Sequence, residues 1–230
     1  MDRMKPSPAQ RPPQAPTSKP RAQRHVVILG DVLLEAYSSI DQTPGEFEDA
    51  LLPGTRDQWK VSFVSAAEVA RAGAAAVLPA DATHAVIFIE GNHAIEQSGL
   101  LAADGLTGAR TLELLSLAPD EFERTLGRLI HAAQSAKVAN VVCTMYPPRY
   151  KAALRQRIAR AALAIFNDRV IQRAAAARVA LADLGLICTE DEDYDLPTRL
   201  SKSGVQKLCN VIRYVLFELE EGLRRSEIFY

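Results

Sequence analysis

The chain has 230 residues, a formal net charge of −1 and a hydrophobic fraction of 48%. This length is sufficient for one globular domain, and the balanced charge argues against a nucleic-acid partner. No apolar run reaches the length of a membrane span. The N-terminus also lacks the short apolar core of a secretion signal. We therefore expect a protein that binds neither nucleic acid nor membrane.

The cysteines, Cys143, Cys188 and Cys209, all lie in apolar segments. Their number is odd and their spacing is not that of metal ligands. Buried thiols in a reducing compartment are the simplest interpretation, which predicts a cytoplasmic location. The sequence predicts no metal and no cofactor.

Residues 1–24 differ in composition from the rest of the chain. Prolines recur there, apolar side chains are scarce, and the basic residues face only Asp2. Such a segment buries too little surface to offset its ordering entropy, so we predict a disordered basic arm followed by one domain over residues 25–230. A flexible tail is the favoured interpretation, while a proline-rich ligand for a protein partner and an organelle transit peptide are the alternatives.

Strand-like and helix-like segments alternate from His25 onward. The predicted strands are residues 26–29, 60–64, 85–89, 140–144 and 179–183. The spacing predicts a helix after Pro119-Asp120, a long helix over residues 151–178, and a last helix from near Ser203. The side chains expected on the buried side of the long helix are Leu154, Ile158, Leu163, Phe166 and Ile171. This alternation predicts an α/β protein with a parallel sheet covered on both faces.

The loops that follow parallel strands share one edge of the sheet, where a ligand would bind. The predicted loops at this edge are residues 30–36, 65–71, 90–95 and 145–150. Polar residues follow the first and third strands as Gly30-Asp31-Val32 and Gly91-Asn92-His93. A further polar segment, residues 191–204, leads into the last helix.

The order and spacing of these segments resemble the SGNH/GDSL hydrolases, a family of serine esterases and lipases. The resemblance extends over residues 25–217 and includes the segments 78–92, 164–184 and 187–208. It implies a three-layer αβα sandwich with a flavodoxin-like, five-stranded parallel sheet. In the family the first segment supplies a nucleophilic serine, the third-strand segment supplies an asparagine for the oxyanion, and the last segment supplies an acid and a base.

Matched to the first two motifs, most residues agree with the family, but the nucleophile does not. Gly30 and Asp31 match the family, while Val32 occupies the position of the serine. Gly91 and Asn92 also match, while His93 replaces an aspartate.

The last motif and the second block depart from the family in the same way. When Gly204 and Lys207 are placed on the family's glycine and lysine, Arg199 falls at the base position and Leu196 at the acid position. The second block, residues 64–73, has no glycine at the position where the family offers an oxyanion amide. The residues that the resemblance places around the pocket are Gly30, Asp31, Val32, Gly91, Asn92, His93 and Arg199.

Acyl transfer by this route needs a hydroxyl, a base that takes its proton and donors for the oxyanion. Val32 has no hydroxyl, and an arginine such as Arg199 keeps its proton at any accessible pH. The first hypothesis is therefore an inactive SGNH-type protein with a pocket for a small ester or carboxylate, the latter held by Arg199. The alternative is an esterase rebuilt around His93, Asp31 and Asn92. A third hypothesis is an interaction module whose arm binds a protein partner.

For the remaining candidate site residues we expect structural roles. Ser38, Ser39 and Ser65 lack an evident base, so we do not expect a replacement nucleophile among them. His84 and His131 are expected to be structural, and His25 carries no functional signal. The alternation Asp191, Asp193, Asp195 fails as a calcium loop because Leu196 and Lys202 occupy positions that need glycine and glutamate. Lys151, Arg155, Arg157 and Arg160 are expected to form a solvated helix face.

Overall fold

The computed structural model of the chain describes residues 23–30, 44–54, 58–72, 77–89, 108–220 and 228–229. Its strands are β1 (Arg24–Leu29), β2 (Trp59–Val64), β3 (His84–Ile87), β4 (Ala139–Cys143), β5 (Ala180–Ala182), β6 (Tyr194–Leu196), β7 (Arg199–Leu200) and β8 (Ile228–Phe229). Its helices are α1 (Pro44–Leu51), α2 (Ala66–Ala72), α3 (Gly108–Ser135), α4 (Ala153–Ala177) and α5 (Lys202–Glu220). Apart from its last two residues, the predicted arm lies outside the described residues.

The main sheet is parallel, with the strand order β2-β1-β3-β4-β5-β8. The first five positions reproduce the flavodoxin-like order, so the five predicted strands and the fold class are confirmed. The short edge strand β8 was not predicted. Ile28 and its neighbours in β1 are buried on both faces of the sheet, which explains why this strand contains a continuous apolar run.

A separate hydrophobic core covers each face of the sheet. One core joins the sheet to α1 and α5 and includes Phe47 and Ile212. The other joins it to α2, α3 and α4 and includes Leu129 and Phe166. The predicted αβα sandwich is therefore confirmed.

Helix α3 begins earlier than the sequence predicted. We expected it to start after Pro119, because proline usually stands in the first turn of a helix. The structure begins α3 at Gly108 and continues it through Pro119, although this residue has no N–H to donate to the carbonyl of Leu115.

Helix α4 has the predicted extent but a different buried side. Leu163 and Phe166 are buried as expected, whereas Leu154 and Ile171 are 62% and 38% exposed. The prediction for those two residues was wrong. Much of the buried face of α4 consists of small residues, Ala159, Ala162 and Ala174, which a search for large apolar side chains passes over.

The chain's first described residues are fixed to the sheet. Arg24 is the first residue of β1, forms an ion pair with Glu220 and lies over the Trp59 ring at 5.1 Å. Within the described ranges, no helix is both long enough and apolar enough to span a membrane.

Candidate functional site

The carboxyl ends of the first three strands meet at Gly30. Its N–H donates to the carbonyl of Val64 at the end of β2, at 3.0 Å. Its φ of +132° is accessible to glycine, and a Cβ there would lie 1.6 Å from the carbonyl oxygen of Phe88. Gly30 therefore fixes the exit of β1 tightly against the end of β3.

Most predicted site residues on this edge follow Gly30 or β3 directly. Asp31, Val32, Gly91, Asn92 and His93 lie outside the described residues. Ser38 and Ser39 do so as well. Their assignment to this edge stays a prediction from the sequence.

A row of aromatic rings connects the end of β3 to the C-terminal polar segment. Phe88 stacks on Tyr146, which follows β4, with ring centroids 6.3 Å apart. Tyr146 packs against Tyr194 at 6.0 Å, and its hydroxyl donates to the carbonyl of Thr198 at 3.1 Å. These contacts bring the neighbouring Arg199 to the same edge of the sheet as Gly30.

Arg199 and Leu196 face each other in a small hairpin. Strands β6 and β7 pair antiparallel, and Leu196 is the partner of Arg199. Arg199 is half-buried, while Leu196 is 51% exposed. The hairpin thus holds the two positions that the resemblance assigns to an acid and a base, with a leucine and an arginine in them.

Gly204 and Lys207 attach this hairpin segment to α5. A Cβ at Gly204 would lie 2.3 Å from the carbonyl oxygen of Asp193, so the helix approaches the segment closely at this point. The Asp193 carboxylate is buried and forms an ion pair with the Lys207 ammonium at 2.7 Å. This carboxylate holds the pKa of Lys207 above its usual value. Within the acidic alternation, Asp193 therefore has a structural partner.

Ser65, which follows β2, caps a helix. The Ser65 Oγ accepts a hydrogen bond from the Glu68 N–H at 3.2 Å, and the Ser65 N–H donates to the Glu68 carboxylate at 2.8 Å. This reciprocal capping box begins α2 and holds the pKa of Glu68 below its usual value. The predicted loop over residues 65–71 is in fact this cap and most of α2.

A groove of 640 Å³ opens beside the hairpin. One wall comes from the loop after β4 and the first turns of α4, and the other from residues 191–197. Lys151, Arg155 and Arg160 line the groove, whereas Arg157, on the same helix, does not. The sequence predicted a solvated face for all four residues, and the structure separates Arg157 from the other three.

The opposite, amino edge of the sheet carries a buried histidine that sequence reasoning passed over. Nδ1 of His25 lies 2.9 Å from Oδ1 of Asp81, and its Nε2 lies 2.7 Å from Oγ of Ser62. Serine, histidine and aspartate follow each other here in the order of a catalytic triad. The imidazole is only 2% exposed, and it connects β1 to β2 and to the segment before β3. No local sequence signal marks this set, because its members are far apart in the chain.

His84, which also lies at this edge, is expected to lower the free energy of unfolding in acid. The ring is buried against Trp59, at 5.3 Å between centroids, and burial together with nearby Arg24 lowers its pKa to about 4. Between about pH 6.5 and pH 4, His84 is therefore protonated in the unfolded chain and neutral in the folded chain. Lowering the pH from 7.5 to 5 should cost about 2 kcal/mol of unfolding free energy through this residue.

The measurement is urea unfolding of the wild type and of His84→Leu at both pH values. The difference between the two pH values should be about 2 kcal/mol smaller in the variant, which keeps all other titrating groups. An equal difference in both proteins would contradict the assignment to His84.

Comparison with known proteins identifies the fold. No model of a protein family matches the sequence, and no curated protein does. The structure resembles a lipase from a goat rumen metagenome, with a TM-score of 0.62 at 13% identity over 84% of this chain and 97% of that one. It also resembles Est24, a carbohydrate acetylesterase from Sinorhizobium meliloti, with a TM-score of 0.58 at 14% identity over 86% of this chain and 100% of that one. A third similar structure is a GDSL-like lipase from Bacteroides thetaiotaomicron VPI-5482, with a TM-score of 0.54 at 12% identity over 85% of this chain and 89% of that one.

These similarities cover most of each chain at low sequence identity. Together with the strand order, they define a three-layer αβα architecture with a flavodoxin-like parallel sheet. The chain has the SGNH/GDSL hydrolase fold.

Proposed function

We propose that this protein is a non-catalytic member of the SGNH-fold proteins that keeps a pocket for a small ligand. The single observation that supports this most is the contrast between two kinds of position that the resemblance matches. Those with a packing role keep the family residue, as does the oxyanion asparagine Asn92, whereas the nucleophile, acid and base positions do not.

The retained residues have physical reasons to be retained. Gly30 leaves no room for a Cβ against Phe88, and Gly204 leaves none against Asp193. Lys207 neutralises a buried carboxylate. The replaced residues are Val32, Leu196 and Arg199, and none of them can perform the nucleophile, acid or base step.

The ligand we propose for this edge is a small ester or carboxylate. Asn92 could donate to a carbonyl oxygen, and the guanidinium of Arg199 has the fork geometry that binds a carboxylate through two hydrogen bonds. Binding without cleavage follows, because a donor set alone does not supply a nucleophile. Binding of a protein partner by residues 1–24 is a separate proposal. Deletion of residues 2–22 should abolish that binding, and unchanged binding would contradict the proposal.

A cytoplasmic location is part of the same proposal. Cys143, Cys188 and Cys209 are free and buried, and burial raises the pKa of each thiol to about 12. Unpaired thiols of this kind are typical of a reducing compartment.

The second candidate function is ester hydrolysis by rebuilt machinery. The notable features are His93 beside Asn92, with Asp31 to orient it, and the observed triad-like order of Ser62, His25 and Asp81. The buried imidazole of His25 has its two nitrogens engaged by Asp81 and Ser62, which favours a structural role at the amino edge.

The experiment is hydrolysis of short-chain nitrophenyl esters by the purified, folded protein. Our proposal predicts the same rate as in buffer for the wild type, His93→Ala and Ser62→Ala. Turnover that His93→Ala abolishes would favour the rebuilt site at the carboxyl edge. Turnover that Ser62→Ala abolishes would instead favour the amino edge, and either result would refute the non-catalytic proposal.

A further inference from the structure

We propose that the groove between the start of α4 and residues 191–197 binds a phosphorylated small molecule. The lining of this site includes Leu196 but none of the residues that the resemblance places around the pocket. The inference goes beyond the proposed function and does not depend on it. Its basis is a cavity of 640 Å³ lined by Lys151, Arg155 and Arg160.

Three of the four cationic side chains of this wall form no ion pair with a carboxylate among the described residues. Ion pairs occupy other arginines, such as Arg169 and Arg173 with Glu123 on the same helical layer. Lys151, Arg155 and Arg160 have no such pair within the described ranges. Three like charges that face one cavity repel each other, and an anion in the groove relieves this repulsion.

The wall is held in shape by contacts around Tyr150. The Arg155 guanidinium lies over the Tyr150 ring at 4.4 Å, a cation–π contact between two residues of the lining. The Tyr150 N–H donates to Gln156 Oε1 at 2.6 Å, and Gln156 Nε2 donates to the carbonyl of Pro148 at 2.7 Å. The loop and the first turn of α4 therefore form one braced unit.

The same wall contains the N-terminus of α4. Its cap residue is Ala152, whose side chain makes no capping hydrogen bond to the first turn. The first N–H groups of any helix have no partner within the helix, and together with the positive end of the helix dipole they favour an anion. Here they act together with the three cationic side chains.

The opposite wall is partly acidic. Asp191 lies 3.7 Å from Arg149, whose guanidinium also lies over the Tyr194 ring at 5.5 Å. Asp195 is the second carboxylate of the lining. With four cationic and two anionic side chains, the groove keeps an excess of positive charge.

This arrangement favours phosphate over carboxylate. A phosphate group has more oxygen atoms and more charge than a carboxylate, so it can engage several cations and helix N–H groups at once. The cavity also has room for the organic part of a phosphorylated metabolite, since small-molecule pockets usually measure about 300–1,000 Å³.

The test is calorimetric titration of the full chain with sodium pyrophosphate at low ionic strength. The variants are Arg155→Gln and Arg160→Gln, and the matched control is Arg157→Gln, which removes the same charge from α4 outside the groove. Circular dichroism checks that each variant keeps its helix content. We expect the wild type and Arg157→Gln to bind alike, and each groove variant to bind about fivefold more weakly or worse.

Two results would overturn the proposal. One is the absence of pyrophosphate binding by the wild type. The other is an equal loss of affinity in Arg157→Gln, which would indicate a general effect of net charge. Because the probe is not an ester, failure here leaves the non-catalytic proposal untouched, and ester turnover would leave the groove proposal untouched.

Discussion

The Gly30→Ala variant is expected to lose on the order of 4–5 kcal/mol of unfolding free energy, enough to unfold a marginally stable domain. The added Cβ would lie 1.6 Å from the carbonyl oxygen of Phe88, a backbone atom that cannot move without separating β1 from β3. The φ of +132° adds strain for any residue with a side chain. Urea unfolding followed by circular dichroism measures the effect.

Gly54→Ala is the matched control for this variant. Gly54 also has a positive φ, +69°, but beyond its chain neighbours no atom of the described residues lies within 4 Å of its added Cβ. Its substitution should cost only about 1 kcal/mol, from backbone conformation alone. Equal losses in the two variants would show that close packing at the carboxyl ends of the strands is not what requires Gly30.

The Gly204→Ala variant should cost about 3 kcal/mol through overpacking. The Cβ would meet the Asp193 carbonyl oxygen at 2.3 Å and Leu200 Cδ2 at 3.2 Å, so α5 would have to move away from the hairpin segment. That movement would also weaken the Asp193–Lys207 ion pair. Unfolding in urea gives the loss directly.

Gly127→Ala supplies the control within a helix. Gly127 lies in α3, and no atom lies within 4 Å of an added Cβ. Its substitution should stabilise the protein by up to about 1 kcal/mol, because alanine is the better helix former. If Gly204→Ala were also stabilising, the proposed close approach of α5 to Asp193 would be wrong.

The sheet could be predicted from the sequence because its evidence is local. Strands β1 and β3 contain continuous apolar runs, as a strand buried on both faces requires, and the edge strand β2 keeps apolar residues at alternate positions. The two-residue strand β8 is too short to give a pattern. The start of α3 was predicted too late because a proline such as Pro119 is typical of the first turn of a helix. A helix can also continue through proline at the cost of one hydrogen bond.

The buried side of α4 and the groove could not be predicted, because both depend on distant parts of the chain. Whether Leu154 is buried depends on which turns of α4 reach over the sheet, and periodicity does not give that. Arg155 and Arg157 look equivalent in the sequence. Only the packing of the loop after β4 against residues 191–197 places one in a groove and leaves the other outside.

The candidate catalytic positions were inferred from the resemblance, and their roles stay predictions. The structure places Gly30, Leu196 and Arg199 on the carboxyl edge of the sheet. The roles of Asp31, Val32, Gly91, Asn92 and His93 remain predictions, since these residues lie outside the described ranges. His25 shows the reverse case, in which a residue without any sequence signal has two polar partners from distant segments.

The most direct test of the account is the initial rate of nitrophenyl acetate hydrolysis by the folded wild-type protein. With Val32 at the nucleophile position and Arg199 at the base position, the rate should equal that of buffer at every protein concentration. A rate that rises in proportion to protein concentration and saturates with ester would contradict the account, because it would require a nucleophile or base that these positions do not supply.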